Sequence, residues 1–98
     1  GTISLVITPA AAGSANAIHL NLATPEGRPA DAQAVTAELS LPTAGIAPIS
    51  RPLLNAGTGH FLLENMSEFT VAGTWTVALD IRSSEFEAET VNFEVRIS

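Results

Sequence analysis

Apolar side chains in this chain recur at every second position, and that spacing constrains its fold more than any other feature. In segment 74–82, Trp75, Val77, Leu79 and Ile81 share one parity, while Thr74, Thr76, Ala78, Asp80 and Arg82 take the other. Successive side chains of an extended strand point to opposite faces, so the pattern predicts a strand with one buried face. The same alternation runs through Ile3, Leu5 and Ile7, through Ile18, Leu20 and Leu22, and through Val91, Phe93, Val95 and Ile97. Phe86 and Ala88 have the opposite parity to that last run, which predicts a bulge near Glu89 and Thr90.

Turn residues separate these runs. Pro9 stops the first, and the alanines around Gly13 reverse the chain. Thr24-Pro25-Glu26-Gly27 has proline second and glycine fourth, a strong turn pattern. The alanines of segment 31–41 and a capping Asp31 would suit a helix. Val35, Ala37, Leu39 and Leu41 nevertheless alternate with Thr36, Glu38 and Ser40, so we expect a strand. Segment 42–48, with two prolines and Gly45, reads as a loop. A short edge strand is expected over 49–55, because Pro52 cannot donate to a ladder. Ala56-Gly57-Thr58-Gly59 then predicts a hairpin that places Phe61 and Leu63 inward and His60, Leu62 and Glu64 outward. A last turn at Ser83-Ser84-Glu85 leads into the final strand. The sum predicts an all-β, immunoglobulin-like β-sandwich of about seven antiparallel strands, one domain over residues 1–98, with Trp75 in its core.

Composition narrows the partners. The chain has no cysteine, so packing alone must hold it, and thiolate metal sites and cysteine nucleophiles are excluded. Ten carboxylates face four arginines, for a formal charge of −6. That field repels a phosphate backbone and anionic headgroups alike, so neither nucleic acid nor direct lipid binding is expected. No run approaches the ~20 apolar residues that span a bilayer. Gly1 stands where an initiator methionine would and no basic region follows it, so we expect a piece of a longer protein.

Catalytic signals are absent. There is no G-x-S-x-G elbow, no phosphate-binding loop, and Gly57-Thr58-Gly59 precedes a strand rather than a helix, so an enzyme is not expected. His19 and His60 are the chemically pointed pair. In immunoglobulin topology the second and fifth strands are neighbours, which would bring the two outward imidazoles close enough to share a metal. The plainer reading makes them unrelated surface residues, because a soft metal usually wants a third or fourth ligand. Met66, the only thioether, is read as a loop residue. Glu85, Glu87 and Glu89 read as a solvated face that discourages edge pairing, with Arg82 across the hairpin. Around the 42–48 loop, Gly45, Ile46, Pro48, Ile49, Leu53 and Leu54 either form an apolar patch for a protein partner or close the end of the sandwich.

A set of short motifs carries a family resemblance. Ala15-Asn16 enters a strand, followed by Thr24-Pro25-Glu26-Gly27-Arg28-Pro29, Leu39-Ser40-Leu41-Pro42 and Gly45-Ile46-Ala47-Pro48. Gly57-Thr58-Gly59-His60-Phe61, Ala72-Gly73-Thr74-Trp75 and Arg82-Ser83-Ser84-Glu85-Phe86 complete the order. From about residue 2 to 97 the chain resembles the C-terminal extracytoplasmic domain of bacterial CopC/CopD-type copper-transport proteins, related to YtkA-like and FixH-like domains. The resemblance implies a β-sandwich tethered to a membrane protein, facing the periplasm or the outer surface. It implies a role in copper transport or resistance, with copper reaching the domain through the parent protein. The expected partners are the membrane-embedded part of that parent chain or a copper chaperone. Some relatives carry Met and His between the third and fourth strands; Thr43-Ala44-Gly45-Ile46-Ala47-Pro48 has neither, so no metal ligand is carried over. The alternative from another class is a generic immunoglobulin-like spacer or adhesion module of a bacterial surface protein.

Overall fold

The structure is a computed structural model that describes residues 1–83 and 87–98. Eight strands follow one another: β1 (Thr2–Thr8), β2 (Asn16–Ala23), β3 (Ala34–Leu41), β4 (Ile46–Pro52), β5 (Leu54–Gly57), β6 (His60–Met66), β7 (Gly73–Arg82) and β8 (Ala88–Ile97). They form two antiparallel sheets, ordered β1-β2-β6-β5 and β4-β3-β7-β8. This is the strand order of an immunoglobulin-like sandwich, with β2 beside β6 in one sheet and β3 beside β7 in the other. Within segment 31–41, Ala34–Leu41 form a strand, as the alternation predicts; Ala32 and Ala37 are buried in the packed layer and Ala34 is exposed.

Parity decides which residues meet. Val35, Ala37 and Leu39 lie opposite Ile81, Leu79 and Val77 across the β3–β7 ladder, and all are buried. Ile18, Leu20, Phe61 and Leu63 supply the facing layer from the other sheet. Trp75 is fully buried among them. Its ring meets Phe69 edge-on, with centroids 5.1 Å apart at 88°, and its indole N–H donates to the Val71 carbonyl at 3.0 Å. An aromatic pair of that geometry adds about 1 kcal/mol beyond the area it buries.

Four expectations need correction. Residues 49–55 are not one strand, which brings the about seven strands expected to eight among the described residues. β4 runs from Ile46 to Pro52 beside β3, Leu53 turns inward, and β5 starts at Leu54 in the opposite sheet. Leu53 donates its N–H to the Val35 carbonyl, the last tie to β3 before the crossing. Segment 42–48 is not irregular either. Pro42–Ala44 forms one 3₁₀ turn closed by Gly45 at φ 72°, after which β4 has already begun. The bulge near Glu89 is absent: the β7–β8 register runs unbroken from Gly73↔Ile97 to Arg82↔Ala88. Glu89 takes the inward parity opposite Ile81, but at the open end of the sandwich its side chain stays exposed, so no phase change is required. Met66 is not in a loop; it ends β6 and is fully buried. Of the acidic run, Glu85 lies outside the described residues with Ser84 and Phe86, while Glu87 precedes β8 and Glu89 lies on it.

The hairpin before β6 rests on one glycine. Gly59 sits at φ 70° and accepts the Leu22 N–H at 2.8 Å, and a Cβ placed there would lie 2.7 Å from the Leu22 carbonyl oxygen. Left-handed backbone and backbone contact act together, so Gly59→Ala is expected to cost about 2 kcal/mol or more. The denaturation midpoint should fall accordingly, and an unchanged midpoint would show that the turn relaxes freely.

Candidate functional site

The strands of the two sheets differ in charge. Strands β3, β4, β7 and β8 carry Glu38, Arg51, Asp80, Arg82, Glu89, Glu94 and Arg96. Strands β1, β2, β5 and β6 carry a single ionised residue, Glu64. Interaction surfaces are depleted of charge at their centres, so the second sheet is the one to inspect.

Register assembles a row of side chains there. Val6 pairs with His19, His19 with Leu62, and Leu62 with Leu54, crossing all four strands. All four share the outward parity, because Ile18, Leu20, Phe61 and Leu63 occupy the buried one. Val6 is 48% exposed and Leu54 63% exposed, while His19 and Leu62 are half-buried between them. The parallel row reads Ser4, Asn21, His60 and Gly57. His60 is therefore diagonal to His19, and the two imidazoles stack with centroids 5.9 Å apart at 22°. An open groove bounded by Arg51, Pro52, Leu54, Leu62, Glu64 and Asn65 continues the row past its β5 end.

The pairing of His19 with His60 thus follows from strand order, and both rings face away from the core. Among the described residues no group of three or more His, Cys, Asp or Glu side chains gathers at this or any other place. The pair offers a metal two imidazole nitrogens and no third protein ligand of those types.

The six residues read as a contact patch are separated by the sheet crossing. Gly45, Ile46, Pro48 and Ile49 lie at or on β4, where Pro48 and Ile49 are exposed and Ile46 is half-buried. Leu53 is in the core at 7% exposure, so it supports the surface from beneath and cannot meet a partner. Leu54 belongs to the other sheet and joins the Val6–His19–Leu62 row instead. One ion pair, Arg51 with Glu68, links β4 to the segment after β6 near this edge. The pair is partly exposed, so its contribution is under about 1 kcal/mol.

Sequence reasoning overlooked Val6 and Leu62. Their outward parity is visible, but an isolated exposed apolar residue is ordinary, and only the interstrand register joins them to His19 and Leu54. Asn16 was overlooked as well. It is buried at 1% exposure and ties down the turn between β1 and β2 through both its amide oxygen and its amide nitrogen. Comparison of the chain with family models, with curated proteins and with solved structures found no match.

Proposed function

We propose that this chain is a non-enzymatic accessory domain that works outside the cytoplasm by protein–protein contact, within a membrane protein of copper transport or copper resistance. The row Val6–His19–Leu62–Leu54 carries the contact part of this reading. It sets three apolar side chains and one imidazole in line on strands with one ionised residue, in a chain whose net charge is −6. Evolution toward a purely solvated sheet face would favour Thr, Lys or Glu at these outward positions. The strip fits a partner with an apolar centre and a polar rim.

The copper part follows from the resemblance of the chain's ordered motifs to copper-transport domains. Imidazole suits copper, and the stacked His19–His60 pair is the place where such an ion would touch this chain. Two imidazoles are a small set for Cu(II), which favours four nitrogen or oxygen ligands in a plane. Copper is accordingly the cargo of the parent protein, and the domain's partner is the membrane-embedded part of that parent or a copper chaperone.

A photoreactive side chain in place of Leu54, in the full-length protein in its membrane, tests the contact. Cross-links to the parent's membrane-embedded part or to a copper chaperone are expected from Leu54. None is expected from Asn92, on the outer face of the other sheet. Equal yields from the two positions would sink the contact reading. Titration of the chain with Cu(I) and Cu(II), followed by NMR of both imidazoles, reads the metal. Rings that shift together at stoichiometric metal assign copper handling to this chain, whereas unshifted rings confine it to the rest of the protein.

A further inference from the structure

Each sheet ends in two strand edges, and three of the four edges are guarded against pairing with another chain. β4 has Pro48 and Pro52, β5 is four residues long, and β8 carries Glu89, Glu94 and Arg96. Proline, shortness and charge are the usual means of blunting an edge. β1 has none of them: its seven residues, Thr-Ile-Ser-Leu-Val-Ile-Thr, include no charge and no proline.

The backbone groups on its open side can be identified. In β2, Leu22 donates its N–H to Gly59 and its carbonyl accepts from Ala30, both on the β6 side of the strand. Alternation along an antiparallel strand then turns the backbone groups of His19 and Asn21 toward β1. Their partners Val6 and Ser4 use their own N–H and C=O groups on β2. Ile3, Leu5 and Ile7 therefore point their N–H and C=O groups out of the free edge, and their side chains, facing the interior, are only half-buried.

The sequence of this edge is complementary to itself. Read in antiparallel about Leu5, Thr2 meets Thr8, Ile3 meets Ile7, Leu5 meets Leu5 and Ser4 meets Val6. A two-fold axis at Leu5 would pair Ile3, Leu5 and Ile7 with the same three residues of a second copy, through the edge groups left open. It would join two four-stranded sheets into one of eight strands and cover the half-buried isoleucines. We propose that β1 is a homodimerisation edge, whose occupant is β1 of a second copy of this chain in antiparallel register about Leu5. Such an isologous pairing closes on itself, so it stops at the dimer. The pairing uses the backbone edge of β1 and shares only the Val6 side chain with the outer row, so sedimentation reads the dimer and cross-linking from Leu54 reads the outer contact separately.

Sedimentation of the chain over a range of concentrations should show a monomer–dimer equilibrium with no larger species. Ser4 and Val6 face outward, so both tolerate charge without entering the core. In the proposed register residue 4 of one copy opposes residue 6 of the other. Ser4→Lys with Val6→Lys sets like charges opposite each other twice and should weaken the dimer about tenfold or more. Ser4→Lys with Val6→Glu sets opposite charges there and should restore it. In the wild-type dimer the amides of Ile3, Leu5 and Ile7 should gain protection from hydrogen exchange. A chain that stays monomeric at every concentration would overturn the proposal. So would a dimer that responds equally to both double substitutions, since that would place the interface elsewhere.

Discussion

Replacing Trp75 by alanine is expected to destabilise the chain by about 3–5 kcal/mol, a large share of the 5–15 kcal/mol that holds a typical domain together. The indole is fully buried on β7, meets Phe69 edge-on and lies against the inward residues of both sheets. Truncation removes that contact area and leaves a cavity that rigid strands cannot collapse into. No disulfide limits the loss, because the chain has no cysteine. Trp75→Phe separates packing from hydrogen bonding. It keeps an aromatic ring but loses the N–H donated to Val71, and should cost about 1–2 kcal/mol. Denaturant titrations followed by far-UV circular dichroism measure both variants, since each removes the only tryptophan fluorophore. An alanine variant within ~1 kcal/mol of wild type would mean that this residue does not organise the core.

The ease with which Trp75 can be placed shows where sequence is informative in this fold. A strand packed on one side has a side-chain period of two, so Trp75, Val77, Leu79 and Ile81 announce both their element and their burial. The β3 segment is legible for the same reason, although its alanines invite a helix. Legibility fails where period two stops being the deciding quantity. Leu53 and Leu54 are adjacent apolar residues, and a single strand would have to expose one of them. The structure instead moves the chain from one sheet to the other between them, burying Leu53 and exposing Leu54. Glu89 breaks the hydrophobic phase of β8 because a strand end at an open mouth tolerates a carboxylate at inward parity, which the pattern alone reads as a bulge.

The candidate site is legible to a similar extent. Outward parity and immunoglobulin strand order suffice to bring His19 near His60, and the 5.9 Å stacking follows from one diagonal step in the β2–β6 register. The strip around them requires the register of three strand pairs at once, and two of those pairings contain irregularities that no local motif marks. Charge would have been the better guide. Strands β1, β2, β5 and β6 stand apart from the rest by their near absence of ionised residues, a property visible before any register is known.

Asn16→Ala should cost about 3 kcal/mol, a large effect for a residue outside the hydrophobic core. Its amide oxygen accepts from the N–H groups of Ala10 and Ala11 at 2.8 and 3.2 Å, and its amide nitrogen donates to the carbonyls of Ala11 and Ser14 at 3.0 and 3.1 Å. Alanine leaves those partly buried groups without their partners, and an unmade hydrogen bond there costs more than a made one contributes. The turn that Asn16 holds is also a joint between the sheets. Ala12 donates to the Ser98 carbonyl, Ser98 donates to the Ala10 carbonyl, and Gly13 donates to the carbonyl of Phe69, the residue that meets Trp75 edge-on. Loosening the turn should therefore reach the end of β8 and the indole. Hydrogen exchange should show protection lost at Ala10, Ala11 and Ser98 while the β3–β7 ladder stays protected. The near-UV signal of Trp75 should weaken in the same variant. If it is unchanged and the midpoint shifts by less than ~1 kcal/mol, the turn is held by its neighbours and Asn16 is dispensable.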